Sequence, residues 1–348
     1  MQTTADMTRC KVLVFRELPP DQLARLQAEH DVTVANPRLP EQVAAFHAAL
    51  ATTEGMIGSS FKIDAAVLAS APHLQVISSV SVGVDNYALQ ALAERGIMLC
   101  HTPGVLTETT ADTIFSLIMA ASRRLVELSN HVREGRWTRN IDTNLFGWDV
   151  HGKTLGILGF GRIGQAVARR AALGFGMPVL YNNRREVNVA QDAPELVGKV
   201  TPAGLDDLLQ RADIVAVVLP LSDETRGLIG AREFALMKPG AIFVNGARGA
   251  IVQEAALLDA LNHGGLRAAG LDVFATEPLP QDSPLRTHPK VTALPHIGSA
   301  THETRYAMAQ MATSNLLLAL SGKLPLAVFP VQAPHDTLTP PRDTSQFV

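Results

Sequence analysis

Along the first hundred residues, short runs of β-branched and apolar side chains at 12–15, 32–35, 56–59, 74–80 and 97–100 alternate with longer stretches at 21–30, 42–51, 65–70 and 87–95. In the longer stretches apolar positions recur every three or four residues, the period of a helix that buries one stripe. The short runs suit strands buried on both faces. Strand and helix in alternation is the pattern of right-handed β-α-β units around a parallel sheet. After a helical region over 107–136 and a polar segment over 140–152 the alternation restarts. Strands are then predicted at 154–158, 179–182, 214–219, 241–245, 268–273 and 291–294, with a helix over 162–172. The predicted fold class is α/β, with two doubly wound parallel-sheet domains.

The last helical run, 301–320, has no strand of its own to follow, so it is expected to return the chain to the first domain. With crossings near Pro103 and Pro295, that domain becomes discontinuous, residues 1–102 and 296–330, around a second domain over 103–295. A cleft between two such domains is where a ligand is expected. Residues 331–348, rich in Pro, Thr and charge and without periodicity, read as a terminal extension of low order.

Composition narrows the function class. The 348 residues are 47% apolar and 18% charged, a globular balance with room for two domains. A net charge of −3 gives no basic field to hold nucleic acid or an anionic membrane, so a small soluble ligand is expected. Two cysteines, Cys10 and Cys100, are too few for a disulfide framework, and no basic-then-apolar leader precedes the strand-like run at 11–15. The longest apolar stretches, such as 214–220, fall far short of the roughly 18 residues that span a bilayer. A cytoplasmic location is expected.

A glycine-rich turn, Gly159-Phe160-Gly161-Arg162-Ile163-Gly164, directly follows the strand at 154–158 and opens the helix at 162–172. In that context the first glycine permits a tight turn, the second lets the backbone approach a pyrophosphate, and the third lets helix pack on strand. The helix N-terminus adds amide donors and positive dipole. The competing reading is a helix-packing glycine turn. Roughly 20 residues on, where an NAD site presents an acid to the ribose hydroxyls, the chain carries Asn183-Arg184-Arg185. Two arginines attract the 2′-phosphate of NADP and can fork onto it, which favours NADPH, with NADH possible. Alternatively they solvate a strand end, and Glu186 is adjacent.

Downstream lie Arg248, Glu277 and His296. Reducing a 2-keto acid requires a group to hold the carboxylate and a proton donor for the carbonyl oxygen. His296 suits the donor and Glu277 its partner at the other ring nitrogen, while Arg248 offers a planar cationic fork. Backbone amides in Ser79-Val80-Ser81-Val82-Gly83 could add donors to the carboxylate. Each residue has a plainer reading, since one histidine among eleven is usually structural. Asp272 could tune the histidine's field or cap a helix, and Trp137 and Trp148 could sit at a subunit contact or line a pocket. No His/Cys cluster has metal-ligand spacing, and no metal is expected.

From about Lys11 to about Leu326 the chain resembles the D-isomer-specific 2-hydroxyacid dehydrogenases, including the 29-residue spacing from Arg248 to Glu277. Within that family three stretches look like the bacterial glyoxylate/hydroxypyruvate reductases that also reduce 2-ketogluconate. They are Ser81-Val82-Gly83-Val84-Asp85-Asn86, Val105-Leu106-Thr107-Glu108-Thr109-Thr110-Ala111-Asp112, and the run from Pro295-His296-Ile297-Gly298 to Arg305.

The resemblance implies a Rossmann nucleotide-binding domain over 103–295 beside a flavodoxin-like substrate domain. It implies an oxidoreductase that uses NADPH to reduce small 2-keto acids to D-2-hydroxy acids, with Arg248, Glu277 and His296 catalytic. It further implies Val82 and Gly83 as carboxylate ligands, Thr107 near the nicotinamide, and a homodimer formed through the nucleotide domains. The cofactor set on this basis also takes in Leu219, Pro220, Gly246, Ala247, Asp272 and Gly298. Asn183 departs from the acidic ribose ligand of NAD users, and Glu277 in place of a Gln speaks against formate oxidation. A different class of relative keeps this fold as a dinucleotide-sensing corepressor scaffold; the intact Arg, Glu and His argue against it here.

Overall fold

The structure, a computed structural model, describes residues 9–331. It divides into two compact units, one holding the residues up to Pro103 together with those from Arg305, the other Gly104–Thr304. The first begins with β1 (Lys11–Val14), α1 (Pro20–Glu29), β2 (Asp31–Val34), α2 (Val43–Leu50) and β3 (Gly55–Gly58). It continues through α3 (Ala65–Ala69), β4 (Val76–Ser79), α4 (Leu89–Glu94) and β5 (Met98–Cys100). The strands form one parallel sheet in the order β2-β1-β3-β4-β5, the flavodoxin-like winding. β3 and β4 are buried along their whole length, and Leu13, Phe15, Phe46, Met56, Ile77 and Leu99 make the core around them.

The second unit opens with α5 (Thr107–Arg123) and α6 (Leu125–Arg133), then β6 (Leu155–Leu158), α7 (Arg162–Arg169), β7 (Val179–Asn182) and α8 (Val189–Asp192). β8 (Val200–Pro202), α9 (Leu205–Arg211), β9 (Ile214–Val217), α10 (Ala231–Leu236) and β10 (Ala241–Asn245) follow, then α11 (Glu254–Asn262), β11 (Leu266–Leu271) and β12 (Val291–Ala293). All pairs are parallel, in the order β8-β7-β6-β9-β10-β11-β12. The winding reverses between β6 and β9, and the crevice outside the carboxyl ends of those strands is where such sheets bind ligands. This is the two-sheet α/β architecture expected, Rossmann winding included. A last helix, α12 (His302–Leu320), returns to the first sheet, where Ser78 on β4 donates to the Ala312 carbonyl at 2.7 Å.

Four details differ from the sequence expectation. β8 was not foreseen: three residues ending in Pro202 are too short for a periodicity signal, and proline is tolerated there because the strand is an edge. The helical region at 107–136 breaks at Arg124, which takes left-handed backbone, φ 55°, and whose guanidinium bonds Glu127. The helix at 162–172 ends in a π-helical turn, Arg170–Gly174. Residues 296–304 pack with the second unit: the His296 amide donates to the Asp272 carbonyl at 2.9 Å, and the Thr304 and Thr109 hydroxyls bond at 2.5 Å. The region read as a leader-free N-terminus lies partly, and the extension at 331–348 beyond Val331 lies wholly, outside the described residues.

Candidate active site

The chemistry gathers at the carboxyl ends of β10, β11 and β12. β11 runs into Asp272, which is 2% exposed. Its carboxylate accepts the Ile297 amide at 2.7 Å and the Gly298 amide at 2.8 Å, while its carbonyl takes the His296 amide. Burial raises the Asp272 carboxyl above its ordinary range, and the two amide bonds only partly offset that. Asp272 therefore braces the loop that carries His296. Both of its oxygens accept a loop amide, so its first role in the fold is to hold the loop. The brace also holds His296 at φ 54°, a left-handed conformation that costs a non-glycine residue on the order of 1–3 kcal/mol.

His296 Nδ1 lies 2.7 Å from Glu277 Oε2, with the two side chains 45% and 35% exposed, open enough to meet a ligand. A carboxylate only accepts, so Nδ1 carries the proton of this bond. Glu277 Oε1 accepts the Phe274 amide at 3.0 Å. Burial alone would raise the Glu277 carboxyl. The His296 bond, the Phe274 amide and the charges of His296 and Arg248 outweigh it and hold Glu277 below the usual carboxylate range.

Arg248 follows β10 on extended backbone. Asn245, 1% exposed, shapes that turn: its Nδ2 donates to the Arg248 carbonyl at 3.0 Å and its Oδ1 accepts the Ala247 amide at 3.1 Å. Arg248 Nη1 donates to the Ala247 carbonyl at 2.8 Å. A Cβ on Gly249 would stand 1.8 Å from the Phe274 carbonyl carbon, so the Arg248 turn and the Glu277 loop touch backbone to backbone and only glycine fits. The three side chains singled out in the sequence thus lie together, and Asn245, which shapes the Arg248 turn, was not among them.

The glycine turn lies at the β6/β9 reversal. Gly159 has φ +99° and a Cβ there would meet the Val218 carbonyl at 2.9 Å; one on Gly164 would meet the Gly159 carbonyl oxygen at 2.1 Å. At Gly161, the N-cap of α7, a Cβ would meet nothing within 4 Å, and no side chain caps the helix. Tight turn, close helix packing and an open approach to the uncapped amides of Arg162, Ile163 and Gly164 fit a dinucleotide pyrophosphate. Phe160 anchors this turn from within. Its ring is buried, stacked on Tyr181 at 4.0 Å, and its amide is taken by Asn183 Oδ1 at 3.1 Å. Asn183 also donates to the Arg185 carbonyl at 2.8 Å, so it pins the turn.

Arg184 pairs with Glu224 at 2.6 Å, both largely exposed, and Arg185 is exposed as well. Leu219 and Pro220 follow β9, the Leu219 nitrogen 3.0 Å from where a Gly159 Cβ would stand, and Gly246 donates to the Val217 carbonyl at 3.3 Å. Ala247 lies beside it, Gly298 in the Asp272-braced loop, and Thr107 is the first residue of α5. Trp148 packs within the second unit, under the Arg267 guanidinium at 4.5 Å. Trp137 is exposed.

In the first unit, Val82 and Gly83 lie in the loop after β4, at the carboxyl edge of the sheet. The Val82 carbonyl is held by the ring Nδ1 of His101 at 3.2 Å, and the His101 carbonyl by Asn315 of α12 at 3.1 Å. Because a trans peptide points its C=O and N–H in opposite directions, this fixes the Gly83 amide as well. Among the described residues no cluster of His, Cys, Asp and Glu is placed to hold a metal, and no helix is long and apolar enough to cross a membrane.

The NAD binding domain model of the D-isomer specific 2-hydroxyacid dehydrogenases matches residues 115–298. The chain is 51% identical over 313 residues to glyoxylate/hydroxypyruvate reductase B of Klebsiella pneumoniae subsp. pneumoniae, covering 90% of this chain and 96% of that one. A crystal structure of a protein from Thermus thermophilus is similar at TM-score 0.83 and 43% identity, covering 91% of this chain and 99% of the other. An NADPH-dependent glyoxylate/hydroxypyruvate reductase of Sinorhizobium meliloti, solved with NADP and malonate, is similar at TM-score 0.82 and 30% identity, with 92% and 97% covered.

Proposed function

Because this chain belongs to the D-isomer specific 2-hydroxyacid dehydrogenase family, and is an NAD(P)-dependent oxidoreductase of it, we propose that it uses NADPH to reduce glyoxylate, hydroxypyruvate and 2-ketogluconate to D-2-hydroxy acids. The observation that carries the reading is the 2.7 Å bond of His296 to an ionised Glu277 beside Arg248. The reduced nicotinamide, when bound, supplies the hydride. Arg248 holds the substrate carboxylate, joined by the Val82 and Gly83 amides. His296, its Nδ1 proton held on Glu277, gives the Nε2 proton to the carbonyl oxygen as the alkoxide forms, and Glu277 stabilises the charged ring before transfer. Purified protein should oxidise NADPH with each of the three keto acids; failure with all three overturns the reading.

The pairing makes a pH prediction. Glu277→Gln removes the ionised partner of the ring and should lower kcat/KM most at and above neutral pH, where the wild-type carboxylate is charged. On the acid side, the ionised Glu277 of the wild type contributes above the usual carboxylate range, and this is lost only as pH falls through its lowered value. Superimposable profiles of the two proteins would remove Glu277 from the mechanism.

Support for NADPH comes from Arg184 and Arg185. The Arg184–Glu224 pair is 73% and 69% exposed, and such a pair contributes only about 0–1 kcal/mol, so a 2′-phosphate can displace it. Hydrogen bonds to charged groups contribute about 1.5–3 kcal/mol, so the double variant Arg184→Ala, Arg185→Ala should weaken NADPH roughly 10- to 100-fold in direct binding. NADH should change little. Equal weakening of both cofactors would mean that the arginines do not read the phosphate.

The chain also acts as a homodimer in this reading. Leu125, Val126, Val132, Trp137, Ile141 and Phe146, on α6 and the segment after it, are all exposed, and large apolar side chains gathered on one segment suit a subunit contact. Wild type should sediment at twice the chain mass, and Trp137→Glu with Phe146→Glu at the monomer mass. A monomeric wild type, or a double variant that stays dimeric, would rule this surface out.

A further inference from the structure

The carboxyl edge of the first sheet carries a cationic group that the mechanism above does not use. Arg16, directly after β1, donates through Nη1 to the hydroxyls of Ser59 at 3.1 Å and Ser60 at 2.6 Å, on the loop after β3. No carboxylate lies within ion-pair distance of Arg16 among the described residues, and its Nε and Nη2 donors have no protein partner there. Arg38, after β2, and Arg305, near the start of α12, add like charge, and burial together with that repulsion lowers the Arg16 pKa from its ordinary value. A half-buried guanidinium with spare donors and no counter-charge is relieved by an anion.

Position says which anion. β1, β3 and β4 are consecutive parallel neighbours, so Arg16, Ser59 and Ser60, and the Val82-Gly83 loop stand in a row along one edge. Two strand spacings, roughly 10 Å, separate the loop after β1 from the loop after β4. One small molecule can reach both, with a hydrogen bond at each end.

We propose that Arg16, seated on Ser59 and Ser60, is a second anion-recognition point that favours 2-keto acids carrying a further carboxylate or phosphate at the end remote from the reacting carbonyl. The inference rests on the functional reading above, in which the Val82-Gly83 loop takes the reacting end. Length-matched pairs test it: oxaloacetate against 2-oxobutyrate, and 2-oxoglutarate against 2-oxovalerate, each with NADPH. A charge-assisted bond predicts a diacid to monoacid ratio of kcat/KM of roughly 10 to 100 in the wild type. The ratio should fall toward one in Arg16→Gln and be intermediate in Arg16→Lys, which keeps the charge without the fork.

A wild-type ratio near one, or a ratio unchanged in Arg16→Gln, overturns the proposal. Should Arg16→Gln fail to fold, wild-type inhibition decides: succinate must compete with glyoxylate at least tenfold better than butyrate, and equal inhibition overturns the proposal. Reduction of glyoxylate and the monoacids with no diacid preference removes only this subsite. No reduction of any keto acid removes the functional reading itself.

Discussion

Replacing His296 by alanine should lower kcat for glyoxylate by roughly 10²–10⁴, the worth of a positioned proton donor, while NADPH binds within about twofold of wild type. The turn proposed to receive the cofactor, Gly159–Gly164 with its Asn183 brace, makes no bond to the histidine ring. Stopped-flow reduction paired with direct NADPH titration separates the two effects. Near-normal turnover would mean that another group gives the proton, and equal loss of cofactor binding would point to collapse of the Asp272-braced loop.

Arg248→Gln should be comparably severe. A guanidinium forked on a carboxylate makes two charge-assisted bonds of about 1.5–3 kcal/mol each, so removing charge and fork together predicts a fall in kcat/KM of about 10²–10⁴. Arg248→Lys, which keeps the charge, should lose less, with KM rising and kcat falling together because the clamp both binds and aligns the substrate. The lysine variant is also expected to lose the Nη1 tether to the Ala247 carbonyl, so saturating substrate should not restore its kcat. Wild-type kinetics in Arg248→Lys would show that this cation is structural.

Much of this was legible because period and residue type are local properties. The runs at 179–182 and 241–245 coincide with β7 and β10, and the first-domain runs overlap β1 to β5. A glycine triad between strand and helix could be read for its mechanics, as could an Arg, a Glu and a His set after strand-like runs. What escaped depends on partners distant in sequence. Asp272 gathering three amides from 296–298 and His101 holding Val82 involve no pattern around either residue. The bonds of Asn183 to Phe160 and Arg185 likewise belong to the folded chain and leave no pattern in the sequence. The boundary near Pro295 was set too early for the same reason, since the pull of Asp272 on the next residues is a tertiary bond.

The discontinuity of the first unit bears on how the chain is made. About 200 residues, Gly104–Thr304, separate β5 from the part of α12 that packs against the first sheet. At translation rates of roughly 5–20 residues per second, β1 to β5 wait some 10–40 s before that helix emerges. During that interval Ser78, 0% exposed in the finished protein, lacks the Ala312 carbonyl, and the Gly55 face of β3 lacks the cover of Leu316 and Leu320. The central unit has its strands contiguous and can close its own sheet first. On this order of emergence the segment synthesised first would be completed last, and its unfinished sheet is the surface a ribosome-associated chaperone would meet.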